Sequence, residues 1–352
     1  MTRSRTTTES KVRDQVNAKA RPKIRDKVNA RVNAKVKATA RARAQARAQA
    51  WAELLRLPAL FTVPGDALAG AAAAGATRPN SRTLLAIGSS LCLYEAGMAL
   101  NDWADHAEDA VERPHRPLPS GRVRPASALA AASALTAAGL ALAARAGRPA
   151  LTIAVPLAVT VWSYDLTLKR TPAGPLTMAA ARTFDLLLGA AATTGTTRAA
   201  LPSALALGAH TFAVTTVSRR ETQGGSALAP LAGLATTGAL AWKLSRGPAP
   251  GRHTAGSDPS ATLAAPTDPS GQGAALPTAL AAAYAATIAR PLFHATLNPS
   301  PPLTQRAVGS GIRALIPLQA TLTARAGAPG LALLTAALAP AARRFARKVS
   351  VT

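Results

Sequence analysis

From Leu57 onward the chain is a succession of apolar runs separated by short polar breaks, and this rhythm limits its folding more than any other feature. The runs occupy 57–75, 83–100, 126–144, 149–165, 175–193, 201–218, 226–244, 274–290, 307–324 and 328–342. Most come close to the roughly 20 residues an α-helix needs to cross a bilayer. They do not alternate apolar and polar side chains over segments of about ten residues, so they are not the strands of a membrane barrel. Backbone surrounded by lipid has to satisfy its own hydrogen bonds, which makes helix the expected state even across Pro64 and Pro156. The expectation is an all-α polytopic membrane protein. The runs 274–290 and 328–342 are the weakest, which gives about eight to ten crossings.

Composition excludes the soluble alternative. Hydrophobic residues make up 48% and charged residues 16%, where a soluble domain carries about 25% charged. The single cysteine, Cys92, lies in an apolar run, so neither an intramolecular disulfide framework nor a cysteine metal cluster is available. Its expected role is helix packing.

Charge is distributed unevenly. Residues 1–50 hold 15 basic and 3 acidic residues, a net +12 of the chain's +25. Echoing segments, KVRDQVNAKA at 11–20 and KIRDKVNARVNAK at 23–35, contain few large apolar side chains and cannot build a core. No uninterrupted apolar stretch of a secretory signal is present there. The expected division is a basic, low-complexity cytoplasmic tail over 1–50 and a membrane domain over 51–352. The tail is expected in solvent or lying helically against anionic headgroups. It lacks the interleaved aromatic residues of a single-strand nucleic-acid binder. If all runs cross, the tail, the 101–125 loop, Lys169–Arg170, Arg219–Arg220 and the basic cluster at 343–348 share one side, which the charge bias makes cytoplasmic. Residues 247–273, rich in Pro, Gly, Ser and Thr, read as a flexible connection.

The segment that carries chemistry is NDWADHAEDAVERPHRPLPSGRVRP, residues 101–125. Asp102, Asp105 and Asp109 are spaced three and four apart, which on one helix sets three carboxylates on one face. Unpaired, they would repel one another. A divalent cation removes that cost, and magnesium suits it because it prefers hard oxygen ligands and keeps room for water and phosphate oxygens. Arg113, His115, Arg116, Arg122 and Arg124 follow on a return stiffened by Pro114, Pro117 and Pro119. Carboxylates, metal and a basic loop together make a diphosphate site. Acidic residues contribute little to membrane orientation, so a loop that only fixes topology does not account for them. The fourth run ends in WSYDLTLKRTP, which brings Tyr164, Asp165, Lys169 and Arg170 to the same membrane face. Lys169 is expected on a phosphate as a point charge and Tyr164 as a hydrogen-bond donor or as a group orienting the metal-bound substrate; the alternative is that either serves only as an interfacial anchor. Asp185, within an apolar run, needs a polar partner, either in an acceptor pocket or in Arg182 three residues earlier. Glu95 poses the same question, and His210 reads as an interior polar residue.

NDWADHAEDAVERPHRPLPSG closely resembles the first aspartate-rich motif of the UbiA superfamily of intramembrane prenyltransferases, N-D-x-x-D-x-x-x-D followed by R-P-x-x-S-G. The matching positions are Asn101, Asp102, Asp105, Asp109, Arg116, Pro117, Ser120 and Gly121. YDLTLKRTP at 164–172 is similar to the family's Tyr- and Lys-containing loop, and the likeness runs over roughly residues 53–345. The resemblance implies a bundle of about nine membrane helices around a cavity open to lipid. It also implies magnesium-dependent transfer of an isoprenyl group from a prenyl diphosphate to a lipophilic, often aromatic acceptor. Asp102, Asp105 and Asp109 would hold the metal and diphosphate with Asn101 in support. Arg116 and Lys169 would stabilise the departing diphosphate.

One segment departs from the family. A second aspartate-rich motif is expected after the sixth span, but the chain has TVSRRETQGGS at 216–226, with Glu221 as its only carboxylate. The segment resembles that of a divergent actinobacterial branch. Arg219 and Arg220 are the expected diphosphate contacts there and Glu221 the expected metal ligand. The alternative is a non-catalytic lipid-binding or transport protein on the same fold. The D-G-x-x-A-R signature of phosphatidyl-type transferases is absent from EAGMALNDWAD.

Overall fold

The computed structural model describes residues 4–219, 221, 225–246 and 272–349, and every regular element among them is helical. Arg220 and residues 247–271 of the expected connection lie outside the described residues.

The chain opens with α1 (Ser4–Leu54), 51 residues long, which at 1.5 Å per residue extends about 77 Å. Ala, Arg, Lys and Gln supply its helix propensity. Side chains from Arg31 to Gln49 are exposed. The helix continues past residue 50, where its last turn joins the bundle: Ala50 and Leu54 are buried against Ala99, Leu100, Leu118 and Val123.

The first apolar run, 57–75, is not one helix. It divides into a 3-10 turn, Leu57–Thr62, and α2 (Pro64–Ala73). The fixed φ and missing N–H of Pro64 suit a helix start and not a helix interior. Ten residues rise about 15 Å, short of a crossing. α2 is buried from Gly65 to Ala72, inside the bundle.

The remaining elements follow the apolar runs. They are α3 (Ser81–Ala104), α4 (His106–Glu112), α5 (Pro125–Ala146), α6 (Arg148–Ser163) continuing into a π-helical turn (Tyr164–Leu168), α7 (Gly174–Thr194), α8 (Leu201–Ser218), α9 (Leu228–Ser245), α10 (Gln272–Leu297), α11 (Pro301–Arg325) and α12 (Pro329–Val349). α3 starts at a capping box, in which the Asn80 side chain accepts from the Thr83 N–H at 2.9 Å and the Thr83 hydroxyl accepts from the Asn80 N–H at 3.1 Å. Prolines open α5, α7, α8 and α11 in the first turn, where no N–H is missed.

α7 is central, packed against α2, α6 and α8; α3 lies along α5, and α9, α10 and α11 pack in succession. Where α2 crosses α7 the backbones touch. A Cβ on Gly70 would sit 1.9 Å from the Leu186 carbonyl oxygen, and one on Gly189 2.3 Å from that of Ala67. Such close approach through small residues is the usual means of joining helices in lipid. Gly189→Val is therefore expected to force the two axes apart and cost about 1–3 kcal/mol or more. A clear drop in the melting midpoint of the detergent-solubilised protein would show it; an unchanged midpoint would mean the crossing is slack.

Large apolar side chains point outward on many helices: Leu84, Leu176, Leu205, Leu228 and Leu333 are all more than half exposed. So broad an apolar exterior is suited to acyl chains and not to water. Among the described residues, Ser81–Ala104, Pro125–Ala146, Arg148–Leu168 and Arg198–Ser218 are long and apolar enough to cross a membrane. α7 and α9 to α12 are 18–26 residues long but carry Thr, Gly, Pro or charge that lowers their mean hydropathy. The architecture is the expected all-α, polytopic membrane bundle.

Candidate functional site

The aspartate segment begins on α3 and changes course at Asp105, whose backbone (φ −91, ψ 4) leaves the regular helix. Hydrogen bonding carries across the bend: the Asp105 N–H donates to the Asn101 carbonyl at 2.9 Å and the Asp109 N–H to that of Asp105 at 2.8 Å. The bend divides the single carboxylate face expected of a straight helix. Asp102 and Asp109, both buried, converge on Arg116, whose Nη1 lies 3.7 Å from Asp102 Oδ1 and 2.6 Å from Asp109 Oδ2. Arg113 adds a longer contact to Asp109 at 3.4 Å. Asp105 turns to the other side, toward Lys169 Nζ at 2.7 Å and Arg170 Nη2 at 3.0 Å. The Lys169 contact is an ion pair without directed hydrogen-bond geometry. Arg170 also pairs with Glu108.

The return loop positions Arg116. The Ser120 hydroxyl donates to the Arg116 carbonyl at 2.6 Å, and the Val123 N–H donates to that of Pro117 at 3.0 Å. Arg122 does not face the aspartates. It grips Glu53 of α1 with two contacts, at 2.6 and 3.1 Å, and that hydrogen bonding raises the pKa of its guanidinium further.

Beside the aspartates a cavity of about 300 Å³ extends between α3, α6 and α7. Arg56, Asn101, Tyr164 and Asp165 line its charged end, and Leu93, Met98, Leu157, Val161 and Met178 form apolar walls. The Asn101 amide donates to Asp165 at 3.1 Å. The π turn sets this rim: the Lys169 N–H reaches back five residues to the Tyr164 carbonyl at 2.9 Å, a wider turn than an α-helix allows. Deeper in, Ser90, Tyr94, Arg182 and Asp185 line the cavity. Arg182 does not pair with Asp185 as its spacing suggested. It forms a salt bridge with the fully buried Asp66 of α2, which also accepts from the Gln319 amide at 2.6 Å. Asp185 accepts from the Ser90 hydroxyl instead. Glu95 is buried with neither carboxyl oxygen hydrogen-bonded.

The divergent segment after α8 reaches the same end of the bundle. Arg219 is exposed and donates to the Thr171 carbonyl. Burial raises the pKa of Glu221, and the field of Arg113 opposes the shift, so this carboxylate lies within electrostatic reach of the aspartate segment. His210 is a core residue: its Nε2 donates to the Gly311 carbonyl at 3.1 Å and its Nδ1 accepts from the Tyr284 hydroxyl at 3.0 Å.

Asn101 and Tyr164 thus line the charged end of the cavity; Asp102 adjoins it through Arg56 and shares Arg116 with Asp109, Asp105 pairs with Lys169 across the bend, and Arg219 and Glu221 lie outside the cavity lining. Sequence reading missed Arg56, which donates to Asp102 at 2.9 Å. Its left-handed backbone (φ 48, ψ 45) is unusual for a residue with a side chain and aims it at the site. The available sequence signal was a lone arginine between Leu55 and Leu57. Among the described residues, no three Asp, Glu, His or Cys side chains close on one point. The donors are hard oxygens held singly or in pairs, which fits a cation such as magnesium that takes one or two carboxylates and completes its shell with water and phosphate oxygens.

A family model described as the UbiA prenyltransferase family matches residues 64–242. The chain is similar to the digeranylgeranylglyceryl phosphate synthase of Methanopyrus kandleri, 36% identical over 116 residues, covering 33% of this chain and 41% of that protein. The protein of the same name from Methanothrix thermoacetophila is 34% identical over 122 residues, covering 34% and 45%. The chain spans less than half the length of these curated relatives. Among solved structures, the apo UbiA homologue from Aeropyrum pernix K1 aligns with a TM-score of 0.56 at 18% identity, covering 75% of this chain and 96% of that one. A UbiA homologue from Archaeoglobus fulgidus bound to GPP and Mg2+ aligns with a TM-score of 0.53 at 16% identity, covering 83% and 99%. These structural likenesses establish a shared fold.

Proposed function

The chain belongs to the UbiA prenyltransferase family, and from that premise we propose that it transfers an isoprenyl group from a prenyl diphosphate to a lipophilic acceptor, aromatic or otherwise, within the membrane. One observation carries the reading: the charged end of the apolar cavity, lined by Arg56, Asn101 and Asp165, adjoins the segment that carries Asp102, Asp105 and Asp109, each of which has a cationic partner. An apolar chain fits the walls and a charged diphosphate fits the rim. The names and ligands of the relatives support the same substrate class.

In this proposal Asp102, Asp105 and Asp109 hold the cation–diphosphate, assisted by Asn101 and by Glu221 from the divergent segment. Magnesium, when bound, supplies charge neutralisation to the leaving group. Arg116, Lys169, Tyr164, Arg219 and Arg220 bind diphosphate oxygens, with Arg116 and Lys169 stabilising their charge as the carbon–oxygen bond breaks. Positive charge develops on the allylic carbon, which the acceptor meets with an electron pair before losing a proton. Leu93, Leu157 and Val161 keep water from that carbon. The site and the N-terminus are assigned to the cytoplasmic face, with 1–50 as a basic extension near anionic headgroups and 51–352 as the transferase domain.

The test incubates purified protein and magnesium with prenyl diphosphates of several lengths and a membrane-lipid extract, followed by mass analysis. Prenylated product and released diphosphate are expected, and both should vanish on chelation. Glu221→Ala is expected to lower turnover about 10–100-fold, the usual effect of losing a group that supports a metal. Binding of the donor without diphosphate release would favour the non-catalytic lipid-binding or transport reading, for which the lone carboxylate of residues 216–226 is the motivating observation.

A further inference from the structure

The last two turns of α10 and the first two of α11 enclose a second, smaller cavity of about 150 Å³, lined by Arg290, Pro291, His294, Leu303 and Arg306. We propose that this cleft binds the phosphate of an anionic membrane lipid. The transfer reaction plays no part in this proposal, which requires only that the bundle lie in a bilayer.

Charge comes first. Arg290, His294 and Arg306 are exposed, and none of these side chains forms an ion pair or hydrogen bond to another described residue. The chain offers them little: beyond Thr222 its only acidic residues are Asp258 and Asp268, both before the start of α10. Arg116, Arg122 and Arg170, in contrast, are each taken by carboxylates. An ionisable group at the lipid-facing surface needs a partner, and the described residues supply none.

Position comes second. Arg290, Phe293, His294 and Leu297 are spaced three, four and seven apart, which puts them on one face of α10, and all four are exposed. Phe293 (49% exposed) and Leu297 (69%) make that face apolar between its cations. A free anion in water has no use for such a face, whereas a phosphate carrying acyl chains meets both parts of it. The following turn lies at the functional-site end of the bundle, because the Gly225 N–H donates to the Pro299 carbonyl at 2.8 Å. Arg290 is about 10 Å along the helix from Leu297, within reach of the headgroup layer for a long side chain that snorkels outward.

The test reconstitutes the full chain in nanodiscs of phosphatidylcholine with a minor fraction of phosphatidylglycerol and counts retained lipid by native mass spectrometry. Wild type is expected to retain phosphatidylglycerol in preference to phosphatidylcholine. Arg290→Gln/Arg306→Gln should reduce that retention roughly tenfold, while Arg306→Lys, which keeps the charge, should preserve it. Arg198→Gln, outside this cleft, should have no effect. Inorganic phosphate should not displace the lipid. Equal retention by wild type and the double variant, indifference to lipid charge, or displacement by inorganic phosphate would each overturn the proposal.

Discussion

Asp109→Ala is expected to abolish magnesium-dependent diphosphate release, with a fall of at least about 10²–10³-fold, the scale of losing one preorganised charge contact to a leaving group. Asp109 is buried and held by Arg116 and Arg113. Its removal therefore takes away a metal donor and also frees the guanidinium that should meet the diphosphate. Asp109→Asn keeps the shape and removes the charge, so it should lose activity with less disturbance to the return loop. Asp102→Ala is expected to behave similarly, since Asp102 shares Arg116. The measurement is diphosphate release by protein that still elutes as a folded species in detergent. Wild-type rates in Asp102→Ala and Asp109→Ala would remove the proposed site.

The second large effect concerns stability. Arg182→Met is expected to cost about 3–5 kcal/mol, because it strands Asp66 as a buried carboxylate without its cation. The Gln319 amide remains on Asp66, but a neutral donor does not balance a charge. The melting midpoint in detergent should fall by at least about 5 °C. Asp66→Leu combined with Arg182→Met should recover much of the loss, since an apolar pair of similar volume often replaces a buried ion pair without penalty. A double variant no more stable than the single would instead assign the cost to packing around α2.

The contrast between these two clusters shows what was legible in the sequence. The helices were legible because lipid permits one spanning geometry for an isolated apolar run, and their ends carried Pro and Asn signals. The first run failed as a single helix because Pro64 starts a helix and does not continue one. Asp102, Asp105 and Asp109 stood out by spacing, but the bend at Asp105 turned it from its neighbours toward Lys169. Partner choice was not legible. Arg182 lies three residues from Asp185 and yet bonds Asp66, 116 residues away in the chain. Which carboxylate wins depends on how closely α2 approaches α7, and the glycines that allow this look unremarkable in an alanine-rich chain. Arg56 was missed for a related reason: it precedes the bundle in sequence and enters the site only through a left-handed backbone.

The wide turn at Tyr164–Leu168 bears on how such chains are aligned. Across it, residues five apart are joined as those four apart are in the rest of α6. A count in ordinary helical turns therefore assigns Lys169 to the wrong side of the axis, by about the rotation of one residue. One extra residue in this stretch is absorbed by the helix without lengthening the loop that follows. A difference in length here would consequently be a change of angle: gaining or losing one position would leave the composition almost untouched and swing the ammonium group relative to the aspartates.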